Sequence, residues 1–80
     1  MLIEYVGSAM NHAKYEILKD SKKYYGEIAQ CKGVHATARN LEECRKQLSE
    51  VLEEWVLLRV HRHFKLPVFN GVKLTVKGSV

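Results

Sequence analysis

Two cysteines and four histidines in this sequence could suggest a zinc site, namely Cys31, Cys44, His12, His35, His61 and His63. Structural zinc sites usually bring paired ligands about two to four residues apart, whereas twelve residues separate the two cysteines. His61 and His63 lie two positions apart on a predicted helix, so their side chains point to different faces. We therefore expect no metal site, and Cys44 fits a small residue of the core.

A catalytic site would have to be built from these cysteines and histidines or from the glutamates of the predicted strands. Cys31 and His35 could form a nucleophile and its base, but neither a third orienting group nor an oxyanion-stabilising motif accompanies them. Glu16 and Glu27 are the acids within predicted strands, and they lack the further carboxylates with which a two-metal nuclease holds its ions. We expect no enzyme activity, no catalytic residue and no cofactor.

Length and composition predict one small domain over residues 1–80. The chain has 46% apolar residues and one proline, and a core this small commonly gains stability by oligomerising. Two cysteines are too few for a secreted disulfide framework, and no signal-peptide pattern precedes the apolar residues 2–6, which predicts a cytoplasmic protein. The longest apolar run, residues 55–58, is too short to span a membrane.

The net charge of +4 is unevenly distributed along the chain. Residues 1–39 carry six basic and four acidic side chains, residues 40–54 carry two and five, and residues 55–80 carry five and none. The acidic block falls on the first half of a predicted helix and the basic block follows it. That order suits the helix dipole, so part of the charge pattern is structural.

Hydrophobic periodicity predicts a short helix and three strands in the first half of the chain. Helical spacing relates the apolar residues Leu2, Ile3, Val6 and Met10. Alternation then predicts strands in 14–20, 24–30 and 34–38, joined as an antiparallel meander. Gly26 within the second strand indicates a bulge or a close backbone approach.

A long helix follows the meander. Asn40 is a favourable N-cap, and Glu43 stands at the capping-box position. The apolar stripe comprises Leu41, Cys44, Leu48, Val51, Leu52 and Trp55. The helix can run to about His63, because Pro67 disfavours its continuation. A turn at residues 70–71 and a final strand at 72–76 complete an α+β fold of order α-β-β-β-α-β.

The segment "YYGEIAQCKGVHATARNLEEC", within residues 15–55, resembles the HicB-like antitoxins. The likeness lies in the aromatic second strand, the loop ending in Gly33, the third strand and the "NLEEC" helix start. The resemblance implies a partial RNase H fold, with the fourth strand beside the first in the order 3-2-1-4. Of the family's proline-rich loop only Gly33 is kept. After the predicted final strand too few residues follow for the DNA-binding module of many members.

The resemblance also implies a function, which is the neutralisation of a small HicA-type mRNA-cleaving toxin by complex formation. Alternation sends one of Tyr24 and Tyr25 into the core, and the exposed one is the candidate for partner contact. The partner-binding residues that we expect are Tyr25, Glu27, Gln30, His35, Glu50 and Glu53. The apolar surplus of the long helix predicts a homodimer interface at Val56, Leu57 and Val60.

The alternative function is nucleic-acid binding by the basic end of the long helix. Arg59, Arg62 and Lys65 are interleaved with histidines and a phenylalanine there, as in many phosphate-binding surfaces. The same basic residues have a second explanation, because cations in solvent at the C-terminal end of a helix are favoured by the helix dipole. The basic residues are spread around the helix rather than aligned in one stripe, so the antitoxin hypothesis is preferred.

Overall fold

The computed structural model describes residues 2–69 and residue 71. Its elements are α1 (Leu2–Met10), β1 (Lys14–Ile17), β2 (Tyr24–Glu27), β3 (His35–Ala38) and α2 (Leu41–His61). The α+β class, the meander and the long helix are as predicted. The predicted strand at 72–76, and with it the sheet order 3-2-1-4, falls outside the described residues. Neither helix in the described part combines the length and apolarity that crossing a bilayer requires.

The sheet is a three-stranded antiparallel meander in the order β1-β2-β3. At its centre Tyr15 lies opposite Gly26, which lies opposite Ala36. The turn between β1 and β2 is closed by the Leu18 amide, which donates to the Lys23 carbonyl at 2.7 Å. The loop between β2 and β3 contains Gly33 with a φ of 92°, a backbone conformation that glycine adopts without steric cost.

Alternation along the strands gives the sheet two different faces. The inner face, against α2, is formed by the rings of Tyr15 and Tyr24, the methyl groups of Ala36 and Ala38, and the buried backbone of Gly26. We call the opposite side the outer sheet face, and its residues are Lys14, Glu16, Tyr25, Glu27, His35 and Thr37. Along β3 the alternation buries Ala36 and Ala38 on the side that faces α2.

Helix α2 begins as its N-cap predicts and packs along one ridge. The Asn40 side chain accepts a hydrogen bond from the Glu43 amide at 2.7 Å. Its buried residues recur at every fourth position and are Cys44, Leu48, Leu52 and Val56. The predicted stripe was too wide, because Leu41 and Val51 are 46% and 36% exposed. One narrow sheet covers a single ridge of the helix, so residues beside that ridge reach solvent.

The end of α2 differs from the prediction, because the helix stops at His61 rather than near His63. His63 has a φ of 60°, and its amide donates to the Val60 carbonyl at 3.1 Å while the Phe64 amide donates to the Arg59 carbonyl at 2.8 Å. These two bonds are those of a Schellman termination, in which a left-handed residue reverses the chain. The left-handed turn therefore ends the helix before Pro67 is reached.

Helix α1 and the segment after α2 close the core from the same side. Tyr5 and Phe69 are 0% and 1% exposed, and their rings meet edge to face with centroids 5.6 Å apart. The Tyr5 hydroxyl donates to the Pro67 carbonyl, and burial raises the pKa of Tyr5 to about 12. Helical spacing had placed Ile3 inside, but Ile3 is 84% exposed. The buried face of α1 is shifted toward Tyr5 because Tyr5 meets Phe69, a residue distant in sequence.

We predict that Gly26→Ala lowers the free energy of unfolding by about 1 to 3 kcal/mol, as overpacking substitutions do. An added Cβ would lie 2.8 Å from two ring carbons of Tyr15 and 3.2 Å from the Cys44 Sγ atom. Urea denaturation measures the change. The matched control is Gly7→Ala in α1, where an added Cβ meets no atom within 4 Å. That control should stabilise the protein by up to about 1 kcal/mol through helix propensity, and equal effects of the two substitutions would contradict the close approach.

Candidate partner-binding surfaces

The outer sheet face brings three of the predicted partner-binding residues together. Tyr25 donates its hydroxyl hydrogen bond to the Glu27 Oε1 atom at 3.0 Å, and its ring stacks on that of His35 with centroids 6.0 Å apart and planes 26° apart. Glu27 and His35 are direct partners across β2 and β3. Tyr24 instead packs against the core. The structure thus identifies Tyr25 as the tyrosine that faces solvent.

Opposite charges alternate around this cluster. Across the strands Lys14 lies opposite Glu27, and Glu16 lies opposite Tyr25. The hydrogen bond to Glu27 is the main cause that raises the pKa of the Tyr25 phenol, so the phenol stays a neutral donor. An aromatic ring held by a hydrogen bond and a stacked neighbour loses little freedom on binding. The outer sheet face is therefore suited to contact a protein surface.

The remaining predicted partner-binding residues lie elsewhere. Gln30 is exposed in the loop between β2 and β3. Glu50 and Glu53 are exposed on α2, which covers the inner face of the sheet. The predicted set is consequently divided between the outer sheet face and the helical side of the molecule.

Glu50 and Glu53 line an open groove between α1 and α2, which we call the helical groove. Its volume is about 950 Å³, and Ile3, Val6 and Met10 of α1 contribute the larger apolar side chains of its lining. Sequence reasoning found the acidic side chains of this groove but missed the contribution of α1. The sequence did contain one indication that α1 contributes to a surface groove. Helix α1 has more apolar residues than one contact with α2 can bury.

Arg59 is engaged within the chain. Its Nε and Nη2 atoms donate to the Lys65 carbonyl at 2.9 and 2.7 Å. Its guanidinium lies 4.8 Å from the ring centroid of Trp55 and 5.3 Å from that of Phe64. Arg62 and Lys65 have exposed side chains. Of the three predicted phosphate contacts, Arg59 thus serves first to hold the turn after α2.

The three predicted interface residues are also separated by the fold. Val56 is 0% exposed and belongs to the core of the monomer, so it offers no surface to a partner. Leu57 is 54% exposed, and Val60 is partly buried against the core. Leu58 and Phe64, which were not predicted, are 50% and 52% exposed. We use the name α2 end patch for the apolar residues at the end of α2 and in the turn after it that reach solvent, namely Leu57, Leu58, Val60 and Phe64.

The two thiols lie inside the protein. Cys31 and Cys44 are 1% and 0% exposed, and burial raises the pKa of Cys31 to about 11 and also raises the pKa of Cys44. The Cys44 thiol lies 3.6 Å from the Ala36 carbonyl as a weak donor. His35 is exposed on the outer sheet face while Cys31 is buried. The hypothetical Cys31–His35 pair is therefore divided between core and solvent, and each thiol is held in its unreactive protonated form.

Comparisons with known proteins agree with this architecture. A family model described as UPF0150-like matches residues 4–67. The crystal structure of TTHA0281 from Thermus thermophilus superposes with a TM-score of 0.87 and 37% sequence identity, covering 94% of this chain and 93% of that chain. A search of curated proteins gives no match. The likeness thus extends over both helices and the sheet.

We predict that Arg59→Ala lowers the free energy of unfolding by about 1 to 2 kcal/mol, through loss of hydrogen bonds and cation–π contacts. Arg62→Ala removes the same charge three residues later and should change stability by less than about 0.5 kcal/mol, as exposed substitutions do. Urea denaturation of both variants at one pH gives the comparison. Equal stabilities would show that the Arg59 contacts contribute nothing measurable.

Proposed function

We propose, from the premise that the chain belongs to the UPF0150-like family, that it is an antitoxin-like binding protein. It neutralises a small HicA-type mRNA-cleaving toxin by forming a protein complex. The resemblance of residues 15–55 to HicB-like antitoxins supports this function from the sequence. The family match to residues 4–67, a range that includes this segment, supports the coarser statement that the chain is a small antitoxin-like protein.

The single observation that supports a binding role most strongly is the arrangement of Tyr25, Glu27 and His35. Their side chains form one hydrogen-bonded and stacked cluster on the outer sheet face. Tyrosine is enriched at the centres of protein interfaces because its ring gives contact area and its hydroxyl gives a hydrogen bond. The surrounding Lys14 and Glu16 supply a polar rim, which is the usual anatomy of a non-obligate interface.

In this proposal the protein acts by binding and not by catalysis. Its thiols are buried with raised pKa values. Glu16 and Glu27 lie on adjacent strands but are not direct partners in the register. Complex formation needs none of these groups as a nucleophile or base. The toxin is blocked because the antitoxin covers its RNA-binding or catalytic surface.

We expect the toxin to be a small basic protein encoded by the open reading frame beside the gene, and to co-purify with this protein. Tyr25→Ala should weaken their complex about 30-fold or more, the effect of removing an interface hot spot. Isothermal titration calorimetry measures the affinity, and Glu54→Ala on α2 is the control that leaves it unchanged. Salt-sensitive, submicromolar binding of RNA or DNA by the isolated protein, with no loss in Tyr25→Ala, would favour the nucleic-acid function instead.

We also propose a homodimer that buries the α2 end patch. Leu57→Ser should shift the protein to the monomer mass in light scattering at micromolar concentration, because it places a polar group in an apolar contact. Ile17→Ser is the control, since Ile17 is an apolar residue that is 57% exposed and lies on β1 rather than on α2 or the turn after it. A monomeric parent protein would disprove the homodimer.

A further inference from the structure

We propose that the helical groove is a second docking site, which binds a basic amphipathic helix of a partner protein. The groove lies between α1 and α2 and is open to solvent, with a volume of about 950 Å³. It lies on the helical side of the molecule, whereas the outer sheet face lies on the other side of the sheet. The two surfaces can therefore be occupied together.

The side of the groove that α1 forms is apolar and leaves open space at Gly7. Ile3 lines the groove and is 84% exposed, whereas Val6, one turn further along, is a core residue that is 8% exposed and lies at the groove's floor. Met10 lines the groove two turns from Ile3 and is half-buried. Gly7 lies between them, and an added Cβ at Gly7 would meet no atom within 4 Å. The groove thus has an apolar wall with a gap that an inserted side chain can fill.

The groove is also distinguished by its charge. Its lining includes the four carboxylates of Glu4, Glu42, Glu50 and Glu53 and the two basic side chains of Arg45 and Lys46. The local charge is therefore −2, in a chain whose net charge is +4. A smaller cavity of about 300 Å³ shares Lys46 and Glu50 with the groove and extends the acidic strip to Glu43. Such a local reversal of sign attracts a partner of positive charge.

The length of the groove matches that of a short helix. Helix α1 has nine residues, which corresponds to a length of about 13 Å, or between two and three turns. A partner helix of similar length presents apolar residues at every third or fourth position on one face, with its flanks free for lysine or arginine. An apolar stripe against Ile3, Val6 and Met10, with cations toward Glu50 and Glu53, satisfies both walls of the groove.

This inference deepens the proposed function, because it adds a second contact to the same toxin or to a further partner. It rests on the proposed function only for the identity of that partner. The groove and its charge are properties of this chain alone. A test with a model helix therefore separates the docking site from the toxin.

The probe is a synthetic helical peptide of about fourteen residues with leucine on one face and lysine on both flanks. Fluorescence anisotropy should show saturable binding to the full chain that weakens as salt rises, since exposed charges are screened. The double variant Glu50→Lys and Glu53→Lys should weaken binding about tenfold or more. Gly7→Leu should weaken it similarly, because the added side chain fills the gap while the helix remains intact.

Two controls make the result specific. Glu54→Lys changes the charge of the same helix by the same amount per site, but Glu54 does not line the groove. The affinity of this variant for the peptide should therefore stay within about twofold of the parent's, as for a residue outside an interface. A peptide with glutamate in place of lysine should not bind. Circular dichroism and urea denaturation confirm that each variant is folded.

The outcomes distinguish the docking site from the proposed function. Absent peptide binding, or a loss in Glu54→Lys as large as the loss in the double variant Glu50→Lys and Glu53→Lys, would overturn the docking site even if the toxin complex forms. Self-association that Gly7→Leu abolishes, without peptide binding, would show that a second copy occupies the groove and would also overturn it. Groove-dependent peptide binding with no toxin complex would refute the antitoxin function and leave the docking site standing.

Discussion

The close approach of α2 to the sheet at Gly26 is the constraint on which the rest of the structure depends. A side chain there would collide with the Tyr15 ring at 2.8 Å and press on the Cys44 Sγ atom at 3.2 Å. Because that position is a glycine, the ridge beginning at Cys44 lies directly on the inner face, and the Cys44 thiol comes within 3.6 Å of the Ala36 carbonyl. The register then requires Tyr25 to point the other way, onto the outer sheet face.

The same packing leaves the sides of α2 uncovered by the sheet. What lies beside α2 differs between its first half and its end. From its first turn to its middle, one side of α2 faces α1 across the helical groove, where Glu50 and Glu53 remain in solvent. Near its end the helix reverses through His63, and Arg59 holds the reversed segment by its bonds to the Lys65 carbonyl. That segment returns Phe69 to Tyr5, so the termination of α2 and the position of α1 are fixed together.

Local patterns predicted the parts of this fold that depend on neighbours in sequence. The N-cap at Asn40 followed from residue type and is confirmed. At Gly26 the sequence indicated a bulge or a close backbone approach, but the strand register is regular there and the groups that approach are the side chains of Tyr15 and Cys44. The contact of Tyr5 with Phe69 joins residues at opposite ends of the chain, so periodicity could not reveal it and placed Ile3 inside instead. Likewise the residue types near Tyr25 and Glu50 suggested partner contacts, but only the fold shows that they belong to different surfaces.

The separation of the two surfaces has a physical consequence for any partner. Tyr25 is restrained by a hydrogen bond and a stacked ring, so contact with the outer sheet face costs little ordering and depends on shape and on short-range bonds. The helical groove instead has exposed carboxylates beside an exposed isoleucine, so its attraction begins at longer range and is screened by salt. A basic partner that reaches both surfaces would first be attracted by the groove side and then be held in register by the tyrosine cluster. Because each step depends on a different interaction, salt would change the association rate more than the dissociation rate.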